Sequence, residues 1–236
     1  MIRSPFVQKL NRAKQISPRE TPDERFRRIY RALREGICLL QYEPGTALSE
    51  VDLARKFHVS RTPLRRVLQR LEFDGLVDIR NGVGTIVTHI NLKTLKDTYE
   101  LRIRQTLLIG ELSPAPIRDS HPQQVQILIQ RLQALLREQD ILEYARIAND
   151  FHEVLLTLIG NEPLREITDL LYYRVARIWV SFLGYGNWKE EVSIMLSEFK
   201  GVKEALQRRD SGQVGVIRAE HLRGNLVRMS RYISQH

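Results

Sequence analysis

Residues 59–71 read VSRTPLRRVLQRL, and this stretch predicts a short amphipathic helix with two contrasting sides. Ser60 is a favourable N-cap residue, and Pro63 suits the first turn of a helix, where its missing N–H is not needed. One side carries apolar residues at helical spacing, which are Leu64, Val67, Leu68 and Leu71. The other side carries hydroxyl, guanidinium and amide groups, which belong to Ser60, Arg61, Thr62, Arg65, Arg66 and Gln69. We therefore expect the apolar side to pack on a core and the cationic side to face outward.

The segments around this helix predict a winged helix-turn-helix domain over residues 21–90. Two helices precede it, and a strand, a tight turn and a second strand follow it. The starts of the first two helices are marked by the N-capping residues Thr21 and Ser49, and the hairpin turn by Asn81-Gly82. The two strands are predicted at residues 76–79 and 85–87. Three short helices followed by a β-hairpin wing are the elements of such a domain.

The chain changes character near Asn91, where strand signals give way to amphipathic segments. Separators that carry Pro, Gly, Asn or Asp divide this part into six predicted helices. Their approximate bounds are 91–112, 121–138, 140–160, 162–183, 187–209 and 211–235. The expected fold class is mostly α, with the winged head followed by an all-α six-helix bundle over residues 91–236. Residues 1–20 are polar and basic and are interpreted as an N-terminal arm.

The distribution of charge suggests a polyanion-binding head on a near-neutral body. The 236 residues carry a net charge of +9. Residues 1–90 hold 17 Lys and Arg against 10 Asp and Glu, whereas residues 91–236 hold 20 against 18. Most of the excess positive charge therefore belongs to the first 90 residues, which comprise the arm and the head. A solvated basic surface without a partner remains the alternative at this point.

Composition excludes several other classes of protein. No run approaches the roughly 20 apolar residues of a membrane helix, and the N-terminus lacks the apolar core of a signal peptide. Cys38 is the single cysteine, which excludes an intramolecular disulfide and a cysteine zinc cluster. We expect a cytoplasmic protein with no membrane partner.

The outward side of the 59–71 helix has the chemistry of a DNA-reading surface. A recognition helix contacts base edges with its N-terminal residues, and arginine reads guanine through a bidentate contact. Hydroxyl groups at a helix N-terminus suit phosphate oxygens, and a turn at Gly82 would let the wing approach the minor groove or the backbone. The expected partner is a double-stranded DNA operator. An arginine-rich helix face that is merely solvated is the alternative.

The head resembles the GntR family of bacterial transcription regulators over residues 25–88. The resemblance rests on Pro44-Gly45, Leu48-Ser49-Glu50, Leu53-Ala54, Val59 to Arg65, Leu68, Leu71-Glu72, Gly75-Leu76-Val77 and Gly84 to Val87. It implies that Ser60, Arg61, Thr62 and Arg65 contact DNA and that Gly82 is the wing tip. Some members carry a DNA-contacting arginine where this chain has Val51, so the operator is expected to differ from theirs.

The body resembles the C-terminal ligand-binding domain of the FadR subfamily. The matching segments are Tyr99 to Arg102, Asn149 to His152, Leu155, Gly160-Asn161, Glu198 to Leu206, Asp210 and His221-Leu222. A body of six helices, rather than seven, is more similar to the VanR-type branch of that subfamily. The resemblance implies a domain that forms a homodimer and binds a small effector, with an organic acid as the expected class.

The interior metal site of that subfamily is incomplete in this chain. Its usual ligands are an acid four residues before a first histidine, a second histidine after a glutamate, and a third histidine. Here Ala148 replaces the acid and Phe199 replaces the second histidine, which leaves His152 and His221. Two imidazoles are a poor site for a transition metal. We therefore expect no metal and no other cofactor, although a metal bound by His152 and His221 is a weak possibility.

A polar cavity is the expected replacement for the metal site. Its predicted lining consists of Arg102, Asn149, His152, His221 and Asn225. Arg102 is the natural partner for a carboxylate, and protonation of the histidines near pH 6.5 is expected to strengthen acid binding. A surface ion pair of Arg102 with Glu100 or Asp97 is the alternative. The aromatic residues between 172 and 188 are interpreted as core or subunit interface.

Together these features predict a sequence-specific DNA-binding transcription regulator, with repression as the expected mode. We found no G-x-S-x-G nucleophile motif and no phosphate-binding glycine loop, so an enzyme is not expected. One alternative is a metal-dependent hydrolase that uses His152 and His221. The other is a non-specific nucleic-acid-binding architectural protein.

Overall fold

The computed structural model describes residues 20–80, 82, 84–89, 92–183 and 186–234. The chain divides into two compact units, one up to residue 89 and one from residue 90, and each is described by itself. The expected basic arm lies outside the described residues apart from Glu20, and Asn81 of the expected hairpin turn also lies outside them.

The described residues of the N-terminal unit form three helices and a three-stranded antiparallel sheet. Its elements are α1 (Pro22–Cys38), β1 (Ala47–Leu48), α2 (Glu50–Phe57), α3 (Arg61–Phe73), β2 (Val77–Arg80) and β3 (Gly84–Val87). Thr21 begins α1 with a capping box, because its hydroxyl accepts from Glu24 N–H and its own N–H donates to the Glu24 carboxylate. Ser49 caps α2 by accepting from the N–H of Asp52. Both predicted helix starts are confirmed.

The wing is a hairpin that a third strand extends. Strand β3 lies between β1 and β2, with Arg80 opposite Gly84 in the hairpin and Leu48 opposite Thr85 in the added pair. The sequence does not predict β1, because two residues are too few to show the alternation that identifies a strand.

The apolar side of α3 forms the centre of the head core. The predicted stripe of Leu64, Val67, Leu68 and Leu71 is fully buried against Ile29, Leu33 and Ile37 of α1. Full burial of such a side chain stabilises the fold by about 1.5–3 kcal/mol. His58 adopts a left-handed conformation with a φ of 54° and closes the turn between α2 and α3. These contacts fix which side of α3 is left in solvent.

The C-terminal unit is the expected bundle of six α-helices. They are α4 (Leu92–Leu107), α5 (Ser120–Leu135), α6 (Ile141–Leu156), α7 (Glu162–Phe182), α8 (Trp188–Gln207) and α9 (Ser211–Ser234). The first helix ends five residues earlier than predicted, because the backbone tightens into a 3-10 turn over Leu108–Gly110.

Glycine lets α9 approach the end of α4 closely. A Cβ atom on Gly215 would lie 2.7 Å from the carbonyl oxygen of Thr106, which is closer than side chains tolerate. This contact positions α9 along α4, and both helices contribute to the interior site described below. Among the helices that the structure describes, none combines the length and apolar character needed to cross a membrane.

Candidate nucleic-acid interface and interior cavity

The predicted DNA-facing residues of α3 all lie on its exposed side. Ser60, Arg61, Thr62, Arg65, Arg66 and Gln69 are exposed. Ser60 occupies the N-cap position, but its hydroxyl makes no capping hydrogen bond. The first turn of α3 therefore offers a hydroxyl and backbone N–H groups to a phosphate, next to two arginines.

Arg65 forms an ion pair that the sequence does not predict. Its Nε donates to Glu50 Oε2 at 2.9 Å, and Glu50 is the first residue of α2. Arg61 and Arg66 form no ion pair with any residue that the structure describes. Glu50 therefore restrains the direction of Arg65, whereas the other two guanidiniums keep their conformational freedom.

The wing tip is placed as expected at Gly82. This residue is exposed and has a φ of 77°, a conformation that glycine adopts without strain. A Cβ atom built there would meet nothing within 4 Å, so the tip is open to an approaching molecule.

A small, partly open cavity lies between α4, α6, α7 and α9 of the C-terminal unit, and most of its lining residues are polar. Its lining residues are Arg102, Gln105, Thr106, Ile109, His152, Leu155, Thr168 and Arg218. The free space is about 10 Å³, which is the room for one water-sized group. Two of the five predicted effector residues, Arg102 and His152, line this cavity. The other three do not line it.

Those other three residues contact polar groups that do not line this cavity. Asn149 accepts a hydrogen bond from the Tyr172 hydroxyl at 2.7 Å. The Nδ2 of Asn225 lies 3.1 Å from His221 Nε2, and His221 Nδ1 lies 3.1 Å from Glu198 Oε2. Asn149 lies against Tyr172, His221 against Glu198, and Asn225 against His221, so a cavity lined by all five residues stays a prediction.

His152 is held as a neutral imidazole. Its ring stacks on Tyr172 with the centroids 3.8 Å apart, and its Nε2 lies 3.2 Å from Asp169 Oδ1. Burial lowers the pKa of His152 to about 4, although Asp169 acts in the opposite direction. Burial and the neighbouring guanidiniums also lower the pKa of His221 well below its usual range. The expected protonation near pH 6.5 is wrong, because it assumed solvated histidines.

Arg102 is a buried cation without a carboxylate partner in the described part of the chain. It is 8% exposed and lies over the rings of Tyr99 and Tyr172, 5.3 and 5.4 Å from their centroids. Burial lowers its pKa to about 10, so it keeps its charge at neutral pH. The alternative of a surface ion pair is wrong, because Asp97 pairs with Lys93 and Glu100 pairs with Lys96.

Arg218 and Glu198 form a buried ion pair beside Arg102 that the sequence does not predict. Arg218 Nη1 donates to Glu198 Oε1 at 2.6 Å, and Glu198 is 4% exposed. Burial raises the pKa of Glu198, while Arg218 opposes that shift. Arg218 precedes His221 by three residues on α9, so helical spacing was a usable signal for it.

The interior residues do not fit a divalent metal. Phe199 is fully buried and stacks on Phe151 with the ring centroids 3.9 Å apart, and it supplies no donor atom. The Arg218 guanidinium occupies the neighbourhood of Glu198, where it would repel a cation. Within the described ranges, no group of three or more His, Cys, Asp or Glu side chains is arranged to hold an ion.

Comparisons with known proteins agree with both halves of this description. Residues 26–87 match the model for bacterial regulatory proteins of the gntR family, and residues 97–224 match the FCD domain. The HTH-type transcriptional repressor RspR of Escherichia coli strain K12 is 23% identical over 209 residues, which is 88% of this chain and 89% of that protein. The Nta operon transcriptional regulator of Aminobacter aminovorans is 32% identical over 129 residues, 52% of this chain and 58% of that protein.

Solved structures show the same fold. The E. coli protein McbR/YncC has a TM-score of 0.71 and 18% identity, over 93% of this chain and all of that chain (100%). A putative GntR transcriptional regulator from Rhodococcus sp. RHA1 has a TM-score of 0.67 and 19% identity, over 86% of this chain and 96% of that chain. Both matched families and the named curated relatives are regulators rather than enzymes. The chain therefore belongs to the GntR family of bacterial transcription regulators, and its C-terminal unit is an FCD domain.

Proposed function

We propose that this protein, a DNA-binding transcription regulator controlled by a small molecule, takes a small organic acid as its effector in the cavity beside Arg102. The observation that carries the proposal is the Arg102 guanidinium, which is buried, lines the cavity and meets no carboxylate among the described residues. A buried charge without a counterion is costly, and a carboxylate is the ligand that a guanidinium binds best.

The charges around the cavity favour an anion. Arg218 is compensated by Glu198, and His152 is neutral at pH 7 because burial lowers its pKa to about 4. Asp169 contacts His152 but is partly exposed and does not line the cavity. The lining therefore keeps one uncompensated positive charge, that of Arg102, which matches one carboxylate group.

We also propose that effector binding needs no metal. Phe199 supports this, since it fills the place of an expected ligand with an apolar ring. The Arg218–Glu198 pair supports it as well, because the guanidinium already occupies the carboxylate and would repel a metal ion there. Elemental analysis of protein purified without chelator is expected to find no stoichiometric zinc, nickel or manganese.

The proposed operator-reading surface is the exposed side of α3 together with the wing tip. It comprises Ser60, Arg61, Thr62, Arg65, Arg66, Gln69 and Gly82. Phosphate contacts would give salt-dependent affinity, and contacts of the arginines with bases would give selectivity. Selection from random DNA, followed by competition with unrelated DNA at physiological salt, separates this role from non-specific binding.

We propose that the protein acts in the cytoplasm as a repressor and a homodimer, so that two heads address two half-sites. Exposed apolar side chains on the body are compatible with a subunit interface. They include Leu101, Ile127, Leu142, Ile167, Val216 and Val227. Light scattering on the full chain at micromolar concentration is expected to give twice the mass of 27.6 kDa.

Calorimetry with short carboxylic acids tests the effector proposal. The wild type is expected to bind at least one acid of a panel from acetate to succinate, and Arg102→Met to lose that binding. Arg104→Met is the matched control, because Arg104 is exposed on the same helix. Binding that survives Arg102→Met, or no binding of any acid, would rule out a carboxylate at this site.

A further inference from the structure

We propose that Glu50 is a specificity-determining residue, because it holds the Arg65 guanidinium in the direction that reads a guanine of the operator. The inference rests on the proposed function, since it assigns a role within the operator-reading surface of α3. It adds a residue of α2 to that surface and assigns a base to one of its arginines.

The Glu50–Arg65 pair joins the two helices of the helix-turn-helix. Arg65 Nε donates to Glu50 Oε2 at 2.9 Å, across a separation of 15 residues in the sequence. The Glu50 side chain is 27% exposed, whereas the Arg65 side chain is 62% exposed. The pair therefore ties an outward-facing arginine to a partly buried carboxylate through a charge-assisted hydrogen bond.

The backbone of Glu50 is held on both sides. Leu48, two residues earlier, is buried and pairs with Thr85 of β3. Ser49 caps α2 by accepting from the N–H of Asp52. Strand pairing and the cap together fix where α2 begins, so the Glu50 carboxylate is supported by regular secondary structure.

The ion pair leaves one edge of the Arg65 guanidinium available. A guanidinium has five N–H donors, and Glu50 takes the one on Nε. Neither Nη1 nor Nη2 makes a hydrogen bond with a residue that the structure describes. Guanine presents two neighbouring acceptors, O6 and N7, in the major groove, and a pair of guanidinium N–H donors matches them. The geometry therefore favours guanine over the other three bases.

Glu50 also disfavours a contact of Arg65 with phosphate. A phosphate that approached this guanidinium would meet the negative charge of the carboxylate at close range, whereas a neutral base edge would not be repelled. An arginine that is already ordered also loses less conformational entropy when it binds. Glu50 is therefore expected to affect the choice of sequence more than the total affinity for DNA.

The neighbouring acid Asp52 provides a matched control. It also lies in the first turn of α2, but it pairs with Arg55 of the same helix at 3.1 Å, and both of those side chains are largely exposed. Asp52→Ala therefore removes the same charge from the same turn and leaves the Glu50–Arg65 pair in place. Effects of net charge and of the α2 dipole are common to Asp52→Ala and Glu50→Ala.

Fluorescence anisotropy with a set of operators tests the inference on the full chain. The set contains the operator selected from random DNA and each of its single base-pair variants. Comparison of the wild type with Arg65→Ala identifies the position that Arg65 reads, where the wild type is expected to prefer guanine about tenfold or more. Glu50→Ala is expected to lower that preference by about threefold or more, whereas Asp52→Ala is expected to keep it. Glu50→Gln, which keeps an acceptor oxygen but not the charge, is expected to fall between them.

A double-mutant cycle separates a positioning role of Glu50 from a role in folding. In the Arg65→Ala background, Glu50→Ala is expected to cause no further loss of preference at that position. A damaged α2 would instead weaken binding to every sequence alike and in both backgrounds. If Glu50→Ala does not fold, the comparison of Glu50→Gln with the wild type carries the test.

The outcomes separate this inference from the proposed function. A preference that Arg65→Ala abolishes but both Glu50 variants retain overturns the role of Glu50 and leaves the reading surface standing. A preference for another base at that position overturns the assignment of guanine. If Arg65→Ala changes no base preference, Arg65 does not read the operator, and this inference fails with that part of the proposed function.

Discussion

At the scale of single residues, Glu198 determines the chemistry of the interior. Its carboxylate accepts from Arg218 Nη1 at 2.6 Å and lies 3.1 Å from His221 Nδ1. His221 Nε2 lies 3.1 Å from Asn225 Nδ2. Arg218 and His221 both belong to α9, so Glu198 of α8 contacts that helix at two positions.

Removing the charge of Glu198 is expected to destabilise the C-terminal unit. Glu198→Gln leaves the Arg218 guanidinium buried without a counterion, and breaking a buried pair in this way costs about 3–5 kcal/mol. Glu204→Gln, at an exposed position on the same helix, is expected to change the free energy of unfolding by less than about 0.5 kcal/mol. Urea unfolding followed by circular dichroism measures both. If Glu198→Gln unfolds with the same free energy as the wild type, the Arg218–Glu198 pair is not important to the fold.

The low pKa of His152 predicts acid-labile stability. Its folded pKa of about 4 lies below the unfolded value of about 6.5, so the unfolded chain takes up the proton first. Stability is complete above pH 6.5 and is lost as the pH falls towards 4, by an amount on the order of 3 kcal/mol from this residue. Unfolding at pH 7.5 and pH 5 is expected to show a smaller pH dependence in His152→Gln than in the wild type. An unchanged pH dependence would contradict the neutral, buried imidazole.

The arginines of α3 give a residue-level test of operator reading. Arg61→Ala and Arg65→Ala are each expected to weaken specific binding by about 1–3 kcal/mol if the side chain reads a base. Arg137→Ala removes the same charge from an exposed position of the body and is expected to have little effect. Fluorescence anisotropy with the selected operator measures all three. Wild-type affinity and selectivity in both α3 variants would disprove the proposed reading surface.

At the scale of elements, apolar periodicity is sufficient to predict the helices. The stripe from Leu64 to Leu71 identifies α3, and capping residues locate its neighbours. The partners of interior polar residues are less predictable. Helical spacing shows that Arg218 and His221 share a face, but the meeting of Glu198 with both depends on how α8 packs against α9.

Packing of α9 on α4 can be tested at one glycine. Gly215→Ala would place a Cβ atom 2.7 Å from Thr106 O, and such overpacking costs about 1–3 kcal/mol. Gly224→Ala is the matched control on the same helix, because its Cβ atom would meet only the flexible end of Arg228 at 3.1 Å. That change is expected to be neutral or stabilising through helix propensity. Thermal unfolding that ranks the two variants in the opposite order would contradict the close contact.

At the scale of the whole molecule, the chain joins a basic DNA-reading unit to a unit that binds a small molecule. The first 90 residues carry most of the net charge of +9, whereas the FCD domain buries Arg102 and Arg218 beside one cavity. For the effector to control transcription, it must bind the DNA-competent and DNA-free states with different affinity. A repressor released by its effector would bind the acid more tightly when free of DNA.

If an acid held at Arg102 sets operator affinity, an operator titration with and without that acid measures this effect most directly. The tightest-binding acid of the panel is expected to change the operator affinity of the wild type and of Arg104→Met by about tenfold or more. Arg102→Met is expected to bind the operator with wild-type affinity, and that affinity is expected to stay the same when the acid is added. An acid response that survives in Arg102→Met, or a bound acid that leaves wild-type operator affinity unchanged, would contradict the claim.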